Sequence, residues 1–326
     1  MIARHILFAA ALGAAIPATA SSAPCKVDTL AEQSLGYSEE LLPTIRGSIE
    51  GHPATLLLDS GSTTTVVNGA LARLAALPLS QPTAALRGIG GEVSSSKSNT
   101  QFEWALAPRA PIALRVVEQF SVSPQSDGAL GAGQLFNDTV DLSFADRRLR
   151  LLKLTGACAA EDLGGPQASM QERLAGPVSD PRLYLSVEVN GIPMRALVDT
   201  GSRWTTLLRG AAERAGFTPH GAAAEQSGQS EGLGAQRLQA WTSPFDLAVA
   251  GQRYPAARLR VIDALPESTL GKADLLLGLD WLHAHRLIAI AGTNQVAVMR
   301  TSPDVFTRPL GGRRSVAGQA GRQRPA

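Results

Sequence analysis

Two acidic motifs carry the residues best suited to chemistry. They are Asp59-Ser60-Gly61-Ser62 and Asp199-Thr200-Gly201-Ser202, and each follows a short apolar run. Two carboxylates about 3 Å apart cannot both ionise, so such a pair holds one proton and offers a base beside an acid. A chain that carries the motif twice can therefore supply a pair that activates one water molecule. A single copy would be equally typical of an Asp-Gly turn capped by its own hydroxyls.

The segments that follow the two motifs also repeat. Thr64–Ala70 resembles Thr205–Ala211, and Arg73 and Arg214 come next. The aspartates are 199 − 59 = 140 residues apart and these segments are 205 − 64 = 141 apart, which predicts one inserted residue. Duplication over more than a hundred residues predicts two similar lobes.

Each half continues with a Gly-rich stretch and then with an acid, an apolar run and a glycine. The Gly-rich stretches are Gly88-Ile89-Gly90-Gly91 and Gly232-Leu233-Gly234. The later runs are Asp127–Gly131 and Asp274–Gly278. The order of these motifs is therefore the same in both halves.

In this order, the motifs resemble those of the retropepsin and pepsin superfamily of aspartic peptidases, over about residues 43 to 300. The resemblance implies an all-β fold of two pseudo-twofold-related β-barrel lobes with a few short helices. It implies that the Gly-rich hairpins are flaps over a peptide or protein substrate. It also implies that Ala129-Leu130-Gly131 and Leu276-Leu277-Gly278 support the catalytic loops. With a flap candidate in each half, the chain is more similar to a fused retropepsin dimer than to pepsin, which has one flap.

The same resemblance implies roles for the motif residues. Asp59 and Asp199 are the expected catalytic pair of an endopeptidase. Ser60 and Thr200 are expected to hydrogen-bond across the axis, and Ser62 and Ser202 to bond the outer carboxylate oxygens. Gly61 and Gly201 permit close backbone approach and offer amide donors to the carboxylates. Three departures from the family bear on substrate preference and turnover: Ser60 in place of Thr, the small Ala129, and a first flap without a pepsin-like Tyr.

Strand signals dominate the rest of the chain, and only short helices are expected. Leu183–Val189 followed by Asn190-Gly191 predicts a hairpin into Met194–Val198, and Ile45–Ile49 predicts a matching one. The predicted helices are Ala70–Ala76, Ala211–Ala215, Gln134–Asn137 and Trp281–Ala284.

The ends and the middle of the chain suggest a domain order. Arg4, the apolar run Ile6–Leu12 and Ala18-Thr19-Ala20 predict a signal peptide over residues 1–20, with a membrane anchor as the alternative. Residues 21–156 and 181–300 are the expected lobes, residues 157–180 a linker, and residues 301–326 a disordered basic tail. These features predict a periplasmic or secreted protein with no stable membrane insertion after signal cleavage.

The two cysteines and the charge limit what the protein binds. Cys25 and Cys158 suit a disulfide of an exported protein, the alternatives being free thiols or lipidation at Cys25. A net charge of +2 gives no reason to expect nucleic acid. We expect no cofactor and no metal, and a monomer, because the duplicated pair makes dimerisation unnecessary.

Other functions are less consistent with the sequence. Asp280, His283 and His285 are the candidate metal cluster, but they lack a His-Glu-x-x-His frame, and we expect these histidines to face solvent. A Gly-x-Ser-x-Gly sequence occurs at Gly228–Gly232, but it leads into the Gly-rich stretch and not from a strand into a helix, as the nucleophile elbow of a serine hydrolase does. The principal alternative is an envelope protein that binds peptides on the same fold without cleaving them.

Overall fold

The computed structural model describes residues 23–81, 84–106, 111–120, 122–123, 125–176, 179–230, 232–234, 236–263, 270 and 272–306. The predicted signal peptide and residues 307–326 of the predicted tail lie outside this part. The described chain is mostly β. In order, its elements are β1(Lys26–Ser34), β2(Gly36–Tyr37), β3(Pro43–Ile49), β4(His52–Asp59), β5(Thr65–Asn68), α1(Gly69–Leu74), β6(Ala84–Gly88), β7(Gly91–Trp104), β8(Pro111–Val117), β9(Gly128–Gly131), α2(Ala132–Leu135), β10(Thr139–Ser143), β11(Arg148–Thr155), α3(Ala160–Gly164), β12(Ala168–Glu172), β13(Tyr184–Val189), β14(Ile192–Val198), β15(Thr206–Leu208), α4(Arg209–Arg214), β16(Glu225–Ser230), β17(Leu238–Val249), β18(Gln252–Ile262), β19(Leu275–Leu277), α5(Leu279–Leu282), β20(His285–Ala289) and β21(Gln295–Arg300).

Two sheets with matching topology form the two lobes. The first has the order β2-β3-β4-β9-β5-β8-β7-β6, and the second has the order β13-β14-β19-β15-β18-β17-β16. In each, the strand that leads to an acidic motif runs parallel to the short apolar strand before the supporting glycine. The fold prediction of two related β lobes is confirmed.

The hairpins that begin each lobe close through equivalent two-residue turns. Glu50-Gly51 and Asn190-Gly191 both have positive φ angles, at 47° and 77° in the first turn and 49° and 77° in the second. Positive φ at both central positions is the mark of a type I′ turn, whose twist matches that of paired strands. These turns fix the register of β4 and β14, and so the position of each acidic motif.

A third sheet joins the two halves, in the order β1-β11-β10-β20-β21-β12. Asp141 of β10 is fully buried and accepts hydrogen bonds from Arg286 of β20, at 2.8 and 2.9 Å, and from Arg150 at 3.1 Å. The segment expected to be a linker, residues 157–180, contains α3 and β12, and β12 pairs with β21. The sequence did not reveal β1 or β12, because both are edge strands with mostly exposed or half-buried side chains.

The structure joins Cys25 to Cys158 by a disulfide, with their Cα atoms 4.7 Å apart. The bridge lies at the end of the β1–β11 ladder, where Lys26 pairs with Thr155. It therefore holds an exposed edge strand to the sheet shared by both lobes.

The helices lie near their predicted positions.

The prediction of one inserted residue between the second acidic motif and the repeated segment that follows it is wrong. The Gly131 amide donates to Thr65 Oγ1 at 3.2 Å, and the Gly278 amide donates to Thr205 Oγ1 at 3.1 Å. These equivalent threonines are 140 residues apart, like the aspartates, so no residue is inserted there. The run of three threonines at residues 63–65 permits a one-residue slip when the sequences alone are compared.

Among the described residues, no helix has the length and apolar character that a bilayer crossing requires.

Removal of the disulfide should destabilise the protein. We expect the Cys25→Ser/Cys158→Ser variant to lose about 2–4 kcal/mol of unfolding free energy, because the bridge closes a long loop with a sequence separation of 133. Urea unfolding of the parent and the double variant measures the difference. Equal midpoints and slopes would show that the bridge does not stabilise the fold.

Candidate active site

Asp59 ends β4, and Asp199 directly follows β14. The amides of Gly61 and Ser62 both donate to Asp59 Oδ1, each at 3.1 Å. The Gly201 amide donates to Asp199 Oδ1 at 2.9 Å. Backbone donors therefore fix the orientation of both carboxylates and favour their ionised forms.

The two carboxylates lie next to each other at the interface of the lobes. A Cβ atom added to Gly61 would be 2.5 Å from Asp199 Cγ, and one added to Gly201 would be 2.7 Å from Asp59 Oδ1. Each glycine is thus in van der Waals contact with the carboxylate of the opposite lobe. Only glycine fits at these two positions, which explains the residue that follows Ser60 and Thr200.

The predicted bonds across the axis are present. The Ser60 amide donates to Thr200 Oγ1 at 2.9 Å, and the Thr200 amide donates to Ser60 Oγ at 3.0 Å. In turn, Ser60 Oγ donates to the Val198 carbonyl at 2.7 Å, and Thr200 Oγ1 donates to the Leu58 carbonyl at 2.5 Å. Both residues are fully buried, so the network connects the two loops without water. Ser60 makes the same pair of contacts as Thr200.

Ser62 and Ser202 differ from what was expected of them. Their hydroxyls donate to the carbonyls of Thr64 and Trp204, each at 2.8 Å, and not to the outer carboxylate oxygens. Ser62 contacts Asp59 through its backbone amide alone. These hydroxyls therefore close their own loops, each through a carbonyl two residues ahead.

The two Gly-rich stretches meet tip to tip. Gly88 pairs with Gly91 at the end of the β6–β7 hairpin, and the Gly90 amide donates to the Leu233 carbonyl at 2.9 Å. A Cβ atom on Gly234, whose φ is 115°, would lie 2.1 Å from the Gly90 oxygen. A cavity of about 440 Å³ lies between these tips and the aspartates, and Gly88, Ile89, Gly232 and Leu233 line it together with Asp59 and Asp199. The tips therefore cover the carboxylate pair.

The environment of the pair raises both pKa values. Burial raises the pKa of Asp59 against the opposing effect of the Ser62 and Gly61 amides. Burial, and next the charge of Asp59, raise the pKa of Asp199 to about 7. The pair therefore retains a proton below about pH 7, and the carboxyl that keeps it can act as an acid beside an ionised base.

The sequence did not reveal a buried arginine beside the pair. Arg182 forms hydrogen bonds to Asp180 at 2.8 to 3.2 Å and donates to the Gly61 carbonyl at 3.3 Å. Its charge lowers the pKa of both aspartates, in part offsetting burial. The residue 140 positions earlier, which is its counterpart in the first repeat, is Leu42. Comparison of the two repeats therefore could not predict an arginine here.

The candidate metal cluster does not form, and the histidines do not face solvent as expected. His285 is fully buried, stacks on Trp281 at 3.8 Å between ring centroids, and lies 3.0 Å from the Tyr254 hydroxyl. His283 packs against Tyr37 and Phe144. Burial lowers the pKa of His285 to about 4. Across the described residues, no group of three or more His, Cys, Asp or Glu side chains is arranged to hold a metal.

Comparison with protein families agrees with this geometry. The model of the aspartyl protease family matches residues 45–132 and 185–281, which include both acidic motifs. The chain belongs to the aspartyl protease family. Each matched segment covers one lobe, so the family unit is present twice.

Individual relatives cover less of the chain. The chain is similar to Protein DDI1 homolog 1 from Homo sapiens, at 26% identity over 129 residues, which is 40% of this chain and 31% of the relative. It is also similar to DNA damage-inducible protein 1 from Cryptococcus neoformans, at 29% identity over 36% of this chain and 26% of the relative. The matched parts thus span less than a third of these relatives. Aspartic proteinase from Irpex lacteus has a similar fold, with a TM-score of 0.50 and 12% identity over 87% of this chain and 99% of that one.

A change at Thr200 tests the network that holds the protease lobes together. Thr200→Val removes the hydroxyl at nearly constant volume and leaves the Ser60 amide and the Leu58 carbonyl without their partner. We expect a loss of about 2–4 kcal/mol in unfolding free energy, since a buried unsatisfied group costs about 1–3 kcal/mol. Thr200→Ser keeps the hydroxyl and should lose less than about 1 kcal/mol. Urea unfolding compares the two variants, and equal losses would contradict the role given to the hydroxyl.

Proposed function

We propose that this aspartyl protease is an endopeptidase that hydrolyses peptide bonds with a water activated by Asp59 and Asp199. The observation that carries the proposal is the apposition of the two carboxylates, each held by backbone amides and each against the glycine of the opposite lobe. With both pKa values raised, the pair holds one proton where a base and an acid are both needed.

Hydrolysis proceeds in two steps at the pair. The ionised carboxylate removes a proton from the water as the water oxygen attacks the carbonyl carbon, while the protonated carboxyl donates a hydrogen bond to the developing oxyanion. The tetrahedral intermediate then collapses, the C–N bond breaks, and a carboxyl proton passes to the leaving nitrogen. The two groups titrate as a pair, so either aspartate can serve as the base.

Substrate entry requires the flap tips to separate. Two hydrogen bonds join the tips, from the Gly90 amide to the Leu233 carbonyl and from the Gln236 amide to the Gly90 carbonyl, and both must break before a peptide passes between the tips to Asp59 and Asp199. Closure over the bound peptide then excludes bulk water from the reaction. An extended peptide in the cavity would pair with the flaps through its backbone, and side-chain pockets would set its sequence preference.

We also propose that the protein is exported to the periplasm or beyond the cell and works there as a monomer. The disulfide between Cys25 and Cys158 supports export, because such bonds persist in oxidising compartments. The apolar run Ile6–Leu12 and the Ala18-Thr19-Ala20 sequence support a cleaved signal peptide. One chain contributes both carboxylates, which supports activity without a partner subunit.

Substitution of either aspartate tests the mechanism. We expect Asp59→Asn and Asp199→Asn each to lower kcat by at least about 10³-fold, because an amide cannot accept the proton from the water or share one. A mixed peptide library analysed by mass spectrometry measures cleavage, with Asp28→Asn, a half-buried aspartate of the edge strand β1, as the matched control. Normal cleavage by Asp199→Asn would contradict the mechanism. If the folded parent binds peptides and cleaves none, the protein is the non-catalytic peptide-binding alternative.

The pH profile tests the shared proton. Because the pKa of Asp199 is raised to about 7, the pair loses its remaining proton as the pH rises through that value. We therefore expect kcat/KM to fall about tenfold per pH unit well above pH 7, and to fall again at low pH, where the carboxylate that acts as the base is protonated. Initial rates on one library peptide between pH 3 and 9 give the profile. Activity that rises between pH 7 and 9 would contradict the shared proton.

A further inference from the structure

The cavity carries more positive charge from the C-terminal lobe than from the N-terminal lobe, which contributes Glu40 and Arg87, and Arg87 is paired with Glu92. Arg182, Arg203 and Arg260 of the C-terminal lobe line it. At the repeat spacing of 140, the counterparts of Arg182 and Arg203 are Leu42 and Thr63, which are uncharged. The two halves of the cleft are therefore alike in backbone and different in electrostatics.

Strand register identifies the counterpart of Arg260. Thr206 pairs with Arg260, and the equivalent Val66 pairs with Arg115. Val66, Thr206 and Arg260 line the cavity, whereas Arg115 does not. The positive charge of this strand position thus reaches the cleft only in the C-terminal lobe.

The three arginines of the C-terminal lobe differ in what they contact. Arg182 is held by Asp180 in a buried ion pair with N–O distances of 2.8 to 3.2 Å. Arg203 donates to the Glu40 carbonyl, and Arg260 Nη2 donates to the Gln229 carbonyl at 2.7 Å. Neither Arg203 nor Arg260 has a salt bridge to a described carboxylate. The positive charge of Arg260 is therefore not neutralised by a described carboxylate, whereas Arg203 lies near the Glu40 carboxylate, whose pKa its charge helps to lower against the effect of burial.

Arg260 has donor capacity that the protein does not use. Its Nε is buried and has no hydrogen-bond partner within the described residues. Burial, and next the charge of Arg203, lower the pKa of Arg260, so the two guanidinium groups repel each other across a partly desolvated space. A buried donor without a partner is costly, and a carboxylate placed between two guanidinium groups relieves both the repulsion and the missing bond.

We propose that Arg203 and Arg260 form a subsite for an acidic side chain, Glu or Asp, of the peptide substrate. The inference rests on the proposed peptide-cleaving function. The planar guanidinium fork suits bidentate binding of a carboxylate, and a partly buried site strengthens such a bond. Because Leu42 and Thr63 occupy the equivalent half, one acidic residue sets the direction in which the peptide lies across Asp59 and Asp199.

Binding of peptide probes tests the subsite separately from catalysis. The probes are eight-residue peptides with a central statine, in which Glu replaces Gln at one flanking position at a time. Calorimetry on the parent should give at least tenfold tighter binding for Glu than for Gln at one position on one side of the statine. That preference should weaken several-fold in 0.5 M NaCl, because it is electrostatic.

Variants then assign the preference to the two arginines. The Arg203→Thr/Arg260→Gln protein, which copies Thr63 at the first position, should bind the Glu and Gln peptides within threefold of each other. Arg258→Gln is the matched control on the same strand, since Arg258 is exposed and pairs with Glu225, and it should keep the parental preference. Thermal melting confirms that each variant is folded.

The outcomes distinguish this proposal from the proposed function. Equal binding of the Glu and Gln peptides to the parent, or a preference that persists in the double variant, overturns the acidic subsite while peptide binding stands. Failure of every peptide in both series to bind the folded parent overturns the peptide cleft itself, and the subsite with it.

Discussion

The closeness of two carboxylates in a desolvated place is the constraint on which the rest of the structure depends. Asp59 and Asp199 come from different lobes, and each lies against the glycine of the opposite motif. Two ionised carboxylates this close together in a poorly solvated site repel each other strongly, so the pair must share a proton. The amides of Gly61, Ser62 and Gly201 stabilise the remaining negative charge, and the Ser60–Thr200 network prevents the loops from separating.

The wider fold serves the same requirement. The third sheet carries strands from both lobes, and the buried Asp141 connects Arg150 of one half to Arg286 of the other. An uncompensated charge at Asp141 would be costly, so this cluster favours one arrangement of the lobes. The disulfide of Cys25 fastens the edge of that sheet. Contacts far from the active site thereby fix how the two lobes are arranged.

The sequence was sufficient wherever the structure is set by local chemistry. The Asn190-Gly191 turn and the repeated Asp-Ser/Thr-Gly motif predicted the hairpins and the site, because turn geometry and close backbone approach need those residues. Prediction from the sequence failed where contacts between residues far apart in the chain determine the structure. The sequence predicted that His285 faces solvent, but Trp281 and Tyr254 enclose it in the structure. Arg182 could not be predicted from the repeat, because its counterpart in the first repeat is uncharged. The repeated motifs thus predict the carboxylate pair well, and they predict the side chains that line the cleft poorly.

The protonation state of the pair at rest is the most direct test of this account. Carbon-13 NMR of protein labelled at the aspartate carboxyl carbons follows each carboxyl through a pH titration, and Asp59→Asn and Asp199→Asn assign the two signals. The account predicts that near pH 6 the pair holds one proton between its two carboxyls, and that this proton is lost near pH 7. Two carboxyls that are both ionised at pH 6, with ordinary pKa values near 4, would contradict it.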